Sequence, residues 1–376
     1  MNSLYWLLLA LAPTDAPVHA SEPAYTSAQR TLMFGSWADA FSAEKATPDA
    51  AAPPPRLTLP ETSPDSPATS ACVPCEARST RAYTPPMFGD LIGKFGIRFL
   101  SVDGGPFAIR RVPILATSGG IKAAESESPR PTDRVYYSYN FFANTTVDVD
   151  PAVPPISVNR HVIGVEKTFL GNFASVGLRI PFVNLTGYPE ITQANFADMS
   201  VVAKLALVNN PQTGNVLSGG MVLSVPTGPD YILEDPNTER TDVFHPVQLQ
   251  PFIGWILNAP AGRLFAHGFT SIIVPTDGRD VTVFFNDVGV GYWLYQPALA
   301  GQLIQGVIPT FELHVNTPLN HRGAFQRPIG FPDIVNFTTG GYVLFRRAVL
   351  GVAAGVPASW PRVFSFEVLT TFSLRF

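Results

Sequence analysis

The sequence predicts an all-β protein, a transmembrane antiparallel up-and-down β-barrel of about twelve strands, within a range of about 10 to 14. Hydrophobic residues make up 46% of the chain and charged residues only 14%, whereas about a quarter of a soluble domain is charged. Segments in which polar and apolar residues alternate recur from Arg134 to Phe376. The connections between these segments alternate between short and long, as they do in outer-membrane barrels.

Composition excludes two other classes. After the N-terminus no run of about 18 apolar residues occurs, so a transmembrane helix is excluded, whereas alternating strands cross lipid by closing into a barrel. The net charge of −4 comes with scattered lysines and arginines. A nucleic-acid partner is therefore not expected, because it requires a basic stripe.

The N-terminus resembles an export signal. Residues 4–12 read LYWLLLALA, and Val18 and Ala20 provide the small residues that precede a cleavage site. Pro13 and Pro17 argue against the alternative, a buried N-terminal helix. The sequence therefore predicts a signal peptide over residues 1–20 and a location in the cell envelope or beyond.

Residues 21–86 are predicted to be a disordered arm rich in Pro, Ala, Ser and Thr. Residues 46–86 hold too few large apolar residues to offset the entropy of folding. This stretch is a candidate for contact with periplasmic partners or the cell wall. Residues 87–133 form an irregular segment, either a plug inside the barrel or a first strand, and residues 134–376 form the barrel.

Both cysteines, Cys72 and Cys75, lie in the arm as a CxxC pair. A redox site requires a strand–helix context that lowers one thiol pKa, and the arm does not offer one. A zinc site requires two more ligands, and no His or Cys is near. A local disulfide is the favoured interpretation, and no metal is predicted.

The period-two pattern predicts twelve strands of about 9 to 13 residues, the length that crosses a bilayer at a steep tilt. Their approximate bounds are 134–144, 157–169, 173–184, 197–209, 215–227, 246–257, 263–274, 283–295, 305–317, 334–345, 348–356 and 363–376.

The connections sort by length onto the two ends of this barrel. Short turns are predicted at 170–172, 210–214, 258–262 and 346–347, and long connections at 185–196, 228–245, 275–282 and 318–333, whereas the turn around 296–304 departs from this trend. The short turns all fall at one end, together with both ends of the barrel domain. A soluble secreted β-sandwich, the alternative, has no reason to sort its loops in this way.

The last strand shows the predicted faces most clearly. Large apolar residues recur at alternate positions from Phe364 to Phe376, facing lipid, and Glu367 and Arg375 alternate with them, facing the lumen. The ending Phe372, Leu374, Phe376 resembles the signal that the bacterial barrel-assembly machinery recognises, so that machinery is an expected partner.

The alternation also places polar and charged side chains on the inward faces of the strands, which predicts a polar lumen. These side chains either pair into a network that fills the lumen or line a solute pathway with a transverse field. They are Glu166, Arg179, Lys204, Gln248, Gln250, Asp287, Glu312, His314, Glu367 and Arg375.

No enzyme is predicted. The histidines are isolated, and no GxSxG, HExxH or paired-carboxylate motif lies near them. The glycine pairs lack the strand–loop–helix context of a phosphate site. No catalytic residue and no cofactor are therefore expected.

The stretch from Val135 to Pro229 resembles the outer-membrane family named for the MetA pathway of phenol degradation. The similar pieces are VYYSYNFF at 135–142, NRHVIGVEKTFLG at 159–171, ASVGLRIPF at 174–182, DMSVVAKLALV at 198–208 and GGMVLSVPTGPD at 219–230. LGVAAGVP at 350–357 and the last strand also fit.

This resemblance implies an outer-membrane protein that functions in the uptake of aromatic compounds. The leading hypothesis is an outer-membrane channel or facilitator for small, aromatic or apolar solutes, with its N-terminal arm in the periplasm. The alternative is a structural or anchoring barrel whose arm contacts periplasmic partners.

Overall fold

A computed structural model describes residues 83–90, 122–145, 148, 156–187, 191–228, 231–235, 240–260, 262–297, 302–322 and 332–376. The predicted signal peptide, Cys72 and Cys75 lie outside these residues, as does the predicted arm up to residue 82. Within the described part of the chain, no helix is long and apolar enough to span a bilayer.

Fifteen strands make up the described fold. They are β1 (Arg134–Ala143), β2 (Ile156–Phe169), β3 (Ala174–Gly187), β4 (Ile191–Phe196), β5 (Met199–Asn209), β6 (Val216–Val225), β7 (Tyr231–Asp235), β8 (Arg240–Phe244), β9 (Gln248–Asn258), β10 (Leu264–Pro275), β11 (Val283–Tyr292), β12 (Ile304–Pro318), β13 (Ile334–Phe345), β14 (Ala348–Pro357) and β15 (Phe366–Arg375).

Twelve of these strands close into an antiparallel ring, in the order β2-β1-β15-β14-β13-β12-β11-β10-β9-β6-β5-β3, and β3 pairs back onto β2. The first and last strands meet, from Arg134 opposite Arg375 to Ala143 opposite Phe366. Because the ring is closed, it has no edge strand with unpaired backbone groups. The predicted fold class and the predicted twelve strands are confirmed.

Three short strands were not predicted. β4 pairs with residues 182–187 of β3, beyond the part of β3 that pairs with β5. β7 and β8 form a separate hairpin in which Tyr231 lies opposite Phe244. They fall in the connections predicted at 185–196 and 228–245, so strand pairing extends past the ring at the end where the connections are long.

The predicted short turns lie at the opposite end of the barrel. The connection 293–303 between β11 and β12 also lies there and is an exception to the sorting, because it is longer than the connection 276–282 at the other end. The turn between β2 and β3 is tight, with positive φ angles at Leu170, Gly171 and Asn172 of 52°, 65° and 69°. Arg134 of β1 and Arg375 of β15 lie opposite each other in the strand register at this same end. We call it the short-turn end.

The exterior of the ring is apolar. On β15, Phe366, Phe372 and Leu374 are exposed, while Glu367, Thr371 and Ser373 between them are buried. The same alternation exposes large apolar side chains on the other ring strands, among them Val135, Ile163, Val165, Val176, Leu178, Leu205, Met221, Ile253, Leu257, Val288, Val290, Phe311, Leu350, Val352 and Val356.

One outward prediction is wrong. Phe364 is fully buried and its ring packs edge-to-face on that of Phe142, with centroids 5.4 Å apart. Because β15 begins only at Phe366, Phe364 precedes the strand and does not follow its alternation. It belongs to an apolar layer with Ile156, Val158, Leu185, Val283, Phe285 and Ile334.

Candidate functional site

The interior of the ring holds two stretches of chain that precede β1. Residues 83–90 and 122–130, which we call the plug, contact inward-facing side chains of the strands and are almost entirely buried. The two stretches bond to each other: the Met87 N–H donates to the Glu127 carbonyl at 2.8 Å, and the Ser126 N–H to the Phe88 carbonyl at 3.3 Å. The Phe88 ring stacks on Tyr342 of β13 at 4.3 Å.

The described plug begins at Tyr83, although the composition of residues 83–86 predicts that they belong to the arm. Thr84 is buried, and the Tyr83 ring lies under the Arg375 guanidinium, whose central carbon is 4.2 Å from the ring centroid. Contacts with the strands, which local composition does not reveal, place these four residues with the plug.

Glu127 is the most heavily bonded plug residue. Its Oε1 accepts hydrogen bonds from Arg134 Nη2 at 2.6 Å and Lys204 Nζ at 2.8 Å, and its Oε2 accepts one from Arg179 Nη2 at 2.7 Å. Burial alone would raise the pKa of Glu127, but the charges of these three cations hold that pKa well below its usual range. Glu127 is therefore a carboxylate at neutral pH.

Four cations form one wall of the lumen. Arg134, Arg160, Arg179 and Lys204 lie on β1, β2, β3 and β5, which are successive strands of the ring, and all four are buried. We call them the basic arc.

Two more carboxylates complete the pairing of the basic arc. Arg160 Nη1 donates to Oε1 of plug residue Glu125 at 2.5 Å. Glu166 of β2 accepts from Arg134 Nε at 2.8 Å and lies 2.8 Å from Lys204 Nζ.

The opposite wall is acidic. Glu312 of β12 accepts the Phe88 N–H at 2.8 Å and the Gly89 N–H at 2.9 Å, one on each carboxylate oxygen. Plug residue Lys122 bonds Asp287 of β11, Asp90 of the plug at 2.5 Å and Asn316 at 2.8 Å. Backbone donors and one cation of the plug thus bind this wall.

The plug groups that face the acidic wall are charged. Burial alone would raise the pKa of Asp90, but His314 and Lys122 lower it below its usual value. Burial alone would lower the pKa of Lys122, but Asp287 and Asp90 raise it above its usual value. Each charge is stabilised by its partners, as buried charges require.

Asp90, Asp287 and His314 place one donor atom each within 4.8 Å of one another, a spacing that would suit a metal ion. The Lys122 ammonium is bonded to both carboxylates of this set. It supplies the positive charge that a bound cation would otherwise provide.

Strand order places the two walls across the lumen from each other. β2 and β11 are six positions apart in the ring of twelve, and so are β3 and β12. Glu125 and Glu127 of the plug bind the basic arc, whereas Lys122 and the N–H groups of Phe88 and Gly89 bind the acidic wall. The charges of the plug complement those of the walls.

Nine of the ten side chains proposed from the sequence to line the lumen are buried, and Arg375 is partly buried at the short-turn end. Arg179, Lys204, Asp287 and Glu312 bond the plug side chains or backbone directly, and His314 Nδ1 lies 3.3 Å from Asp90. The others bond elsewhere: Gln248 to Asp280, Gln250 to Ser271 and Glu367 to Asn140. Glu166 also accepts the Thr132 N–H at 3.2 Å.

Sequence reasoning missed Arg134 and Arg160. Each shares the inward parity of its own strand, Arg134 with Tyr136 on β1 and Arg160 with Glu166 on β2, so strict alternation would have found both. It also missed Asp90, Lys122, Glu125 and Glu127 of the plug. Those four lie in an irregular segment without a period, and no sequence signal marks them.

The residues proposed as the assembly signal lie on the outside. Phe372 and Leu374 are exposed on β15, and Phe376 follows that strand with its ring centroid 5.3 Å from Lys167 Nζ.

No family model and no curated protein matches the chain, so the resemblance to the MetA-pathway family stays a prediction. Three similar solved structures are an outer membrane channel from Pseudomonas putida F1 (11% identity, 66% of this chain and 97% of that chain, TM-score 0.48), the KdgM porin in complex with disordered oligogalacturonate (8%, 65% and 99%, 0.38) and the beta domain of the Bordetella autotransporter BrkA (12%, 65% and 100%, 0.42). Since every TM-score is below 0.5, the fold rests on the strand pairing described above.

Proposed function

We propose that this chain is an outer-membrane β-barrel channel, a passive and non-catalytic facilitator for small solutes, whose lumen is occupied by its own plug. The observation that supports this proposal is the inverted distribution of polarity: the closed ring is apolar outside and charged inside. A soluble protein has the opposite distribution.

The exterior supports placement in a lipid bilayer. Exposed leucines, valines, isoleucines and phenylalanines recur on the ring strands, and contiguous apolar patches of this kind are rare on soluble monomers. The ring satisfies the strands' backbone hydrogen bonds internally, which hydrocarbon requires. Short turns of such barrels face the periplasm, so β1 would begin, and the arm preceding the plug would lie, on the periplasmic side.

The interior supports passage of solutes. Replacing a buried ion pair by apolar side chains is often neutral or stabilising, so stability alone does not explain two charged walls. The plug is not a strand of the ring, and its bonds to these walls go to side chains of the strands, so its displacement would break no strand pairing. The expectation of small aromatic or apolar solutes rests on the resemblance described in the sequence.

The test is a double substitution that loosens the plug on both sides, Lys122→Gln with Glu127→Gln. We expect planar-bilayer conductance and liposome swelling with a neutral sugar to rise above the wild-type level. The matched control is Lys167→Gln, which removes an exposed ion pair with Asp133 at the short-turn end and should leave permeability unchanged. If the folded double variant is no more permeable than empty liposomes, the channel proposal is wrong.

The occupied lumen favours a second candidate, a structural or anchoring barrel. Here the chain preceding the plug would contact periplasmic partners or the cell wall. Deleting residues 21–82 separates the two functions, because this deletion leaves the described plug intact. Loss of envelope integrity with unchanged permeability would favour anchoring.

A further inference from the structure

The basic arc binds carboxylates of the plug. Three of its cations converge on the single carboxylate of Glu127, from β1, β3 and β5, with donor–acceptor distances of 2.6 to 2.8 Å. Its fourth cation, Arg160, binds the carboxylate of Glu125. Arginine binds planar carboxylates with oriented, charge-assisted hydrogen bonds, which are about twice as strong as neutral ones.

The carboxylates of the arc come mostly from the plug and not from the wall. The wall contributes Glu166, whereas Glu125 and Glu127 belong to the plug. With the plug displaced, four cations would face one carboxylate in a confined lumen. Such a cleft concentrates anions.

The plug does not use all the donors of the arc. Among the described residues, Arg160 Nη2 and Arg179 Nε are buried without a hydrogen-bond partner. Both side chains are at least 98% buried, since their exposures are 2% and 1%. A buried donor without a partner is unfavourable, so both nitrogens favour a ligand that supplies further acceptor oxygens.

We propose that the basic arc binds small solutes that carry two carboxylates, one on Arg160 and one among Arg134, Arg179 and Lys204. Glu125 and Glu127 of the plug occupy these two positions as tethered competitors. This inference rests on the proposed function, since a solute must enter the lumen to reach the arc. It adds a requirement for negative charge to the expectation of aromatic or apolar solutes.

The experiment measures binding in detergent micelles with the full chain, using succinate as the probe and isothermal calorimetry as the readout. Glu127→Gln removes the negative charge that competes for the three-cation position. A tethered group competes at an effective concentration of about a millimolar, so we expect this variant to bind succinate at least about tenfold more tightly than the wild type. Succinamide, the neutral isostere, should not bind.

The matched control is Glu312→Gln. It loosens the plug at the opposite wall but leaves Glu127 on the arc, so its affinity for succinate should stay near the wild-type value. A second substitution on the open background, Glu127→Gln with Arg160→Gln, should return the affinity to the wild-type level. Should Glu127→Gln fail to fold, Glu125→Gln, which removes the competing charge at Arg160 alone, should still bind succinate more tightly than the wild type.

Three results would overturn the proposal: equal succinate affinity in Glu127→Gln and wild type, binding of succinamide, or binding of inorganic phosphate as tight as that of succinate. Conductance separates this proposal from the channel itself. Succinate binding without permeability in any variant would remove the channel and leave the site. Permeability to a neutral sugar without succinate binding would remove the carboxylate site and leave the channel.

Discussion

Arg134 Nη2 lies 2.6 Å from Oε1 of Glu127, seven residues earlier in the chain. This ion pair joins the first residue of the ring to the plug that precedes it. Arg134 also bonds the Ser126 carbonyl at 2.9 Å and Glu166 at 2.8 Å. The guanidinium therefore holds together two plug residues and the neighbouring strand.

Arg134→Met should detach this side of the plug. Removing one partner of a buried ion pair costs about 3–5 kcal/mol when the other charge is left unpaired, and the cost should be smaller here because Arg179 and Lys204 still bind Glu127. We expect faster amide hydrogen exchange in peptides from residues 83–90 and 122–130. Lys167→Met, which removes an exposed pair with Asp133, should cost no more than about 1 kcal/mol. Equal exchange in both variants would contradict the structural role of Arg134.

Plug attachment should withstand mild acid and weaken in strong acid. The pKa values of Glu127 and Asp90 are lowered in the folded protein, and the unfolded values are about 4.3 and 3.9. Groups of this kind stabilise fully above the unfolded pKa, and the contribution is lost as pH falls through the folded pKa. Hydrogen exchange of residues 83–90, corrected for intrinsic rates, should stay slow from pH 7 to pH 5 and accelerate only below about 4. Loss of protection already at pH 5 would be inconsistent with these shifts.

Gly89→Ala should loosen the plug without opening the ring. Gly89 has φ +77°, and an added Cβ would lie 2.7 Å from the Glu125 Cα. Gly171→Ala is the control, since φ there is +65° but nothing lies within 4 Å of the added atom. Both variants incur the strain of a positive φ, about 1 kcal/mol, and only Gly89→Ala adds a clash. Swelling rates should rise for Gly89→Ala alone, with heat-modifiable gel migration retained in both; equal rates would refute the clash.

A charge at the middle of the apolar exterior should hinder membrane insertion. Val352 is outward and 52% exposed near the centre of β14, and Val356 is 50% exposed near its end. Arginine costs about 2–4 kcal/mol at the midplane of a bilayer and about 0–1 kcal/mol near the interface. Urea titration of refolding into lipid vesicles should therefore show a larger loss for Val352→Arg than for Val356→Arg. Equal losses would argue against a bilayer around this belt.

The ring was predictable because its information is local. In β14, Leu350, Val352 and Val356 alternate with Gly351 and Gly355, and a period of two assigns the faces without knowledge of the partner strands. β4, β7 and β8 were missed because they extend pairing within connections whose composition is that of loops. Phe364 was misplaced because alternation does not reveal where a strand begins.

Only the strand residues of the candidate site could be predicted from the sequence, and the plug residues could not. Glu166, Arg179, Asp287 and Glu312 follow from inward parity on their strands. The plug groups that pair with them are held by contacts between distant parts of the chain, as in the bond from Lys122 to Asp287 across 165 residues. No local pattern records such a contact, so the lumen's contents required the structure.

The pairing of β1 with β15 has a consequence for the order of biogenesis. The ring remains open between β1 and β15 until these two strands pair, and the plug directly precedes β1 in the chain. Either the strands close around a plug that is already in place, or the plug enters the lumen from the short-turn end after β1 and β15 have paired. The matched charges of plug and wall would guide either route, so a mispaired plug would delay the final closure.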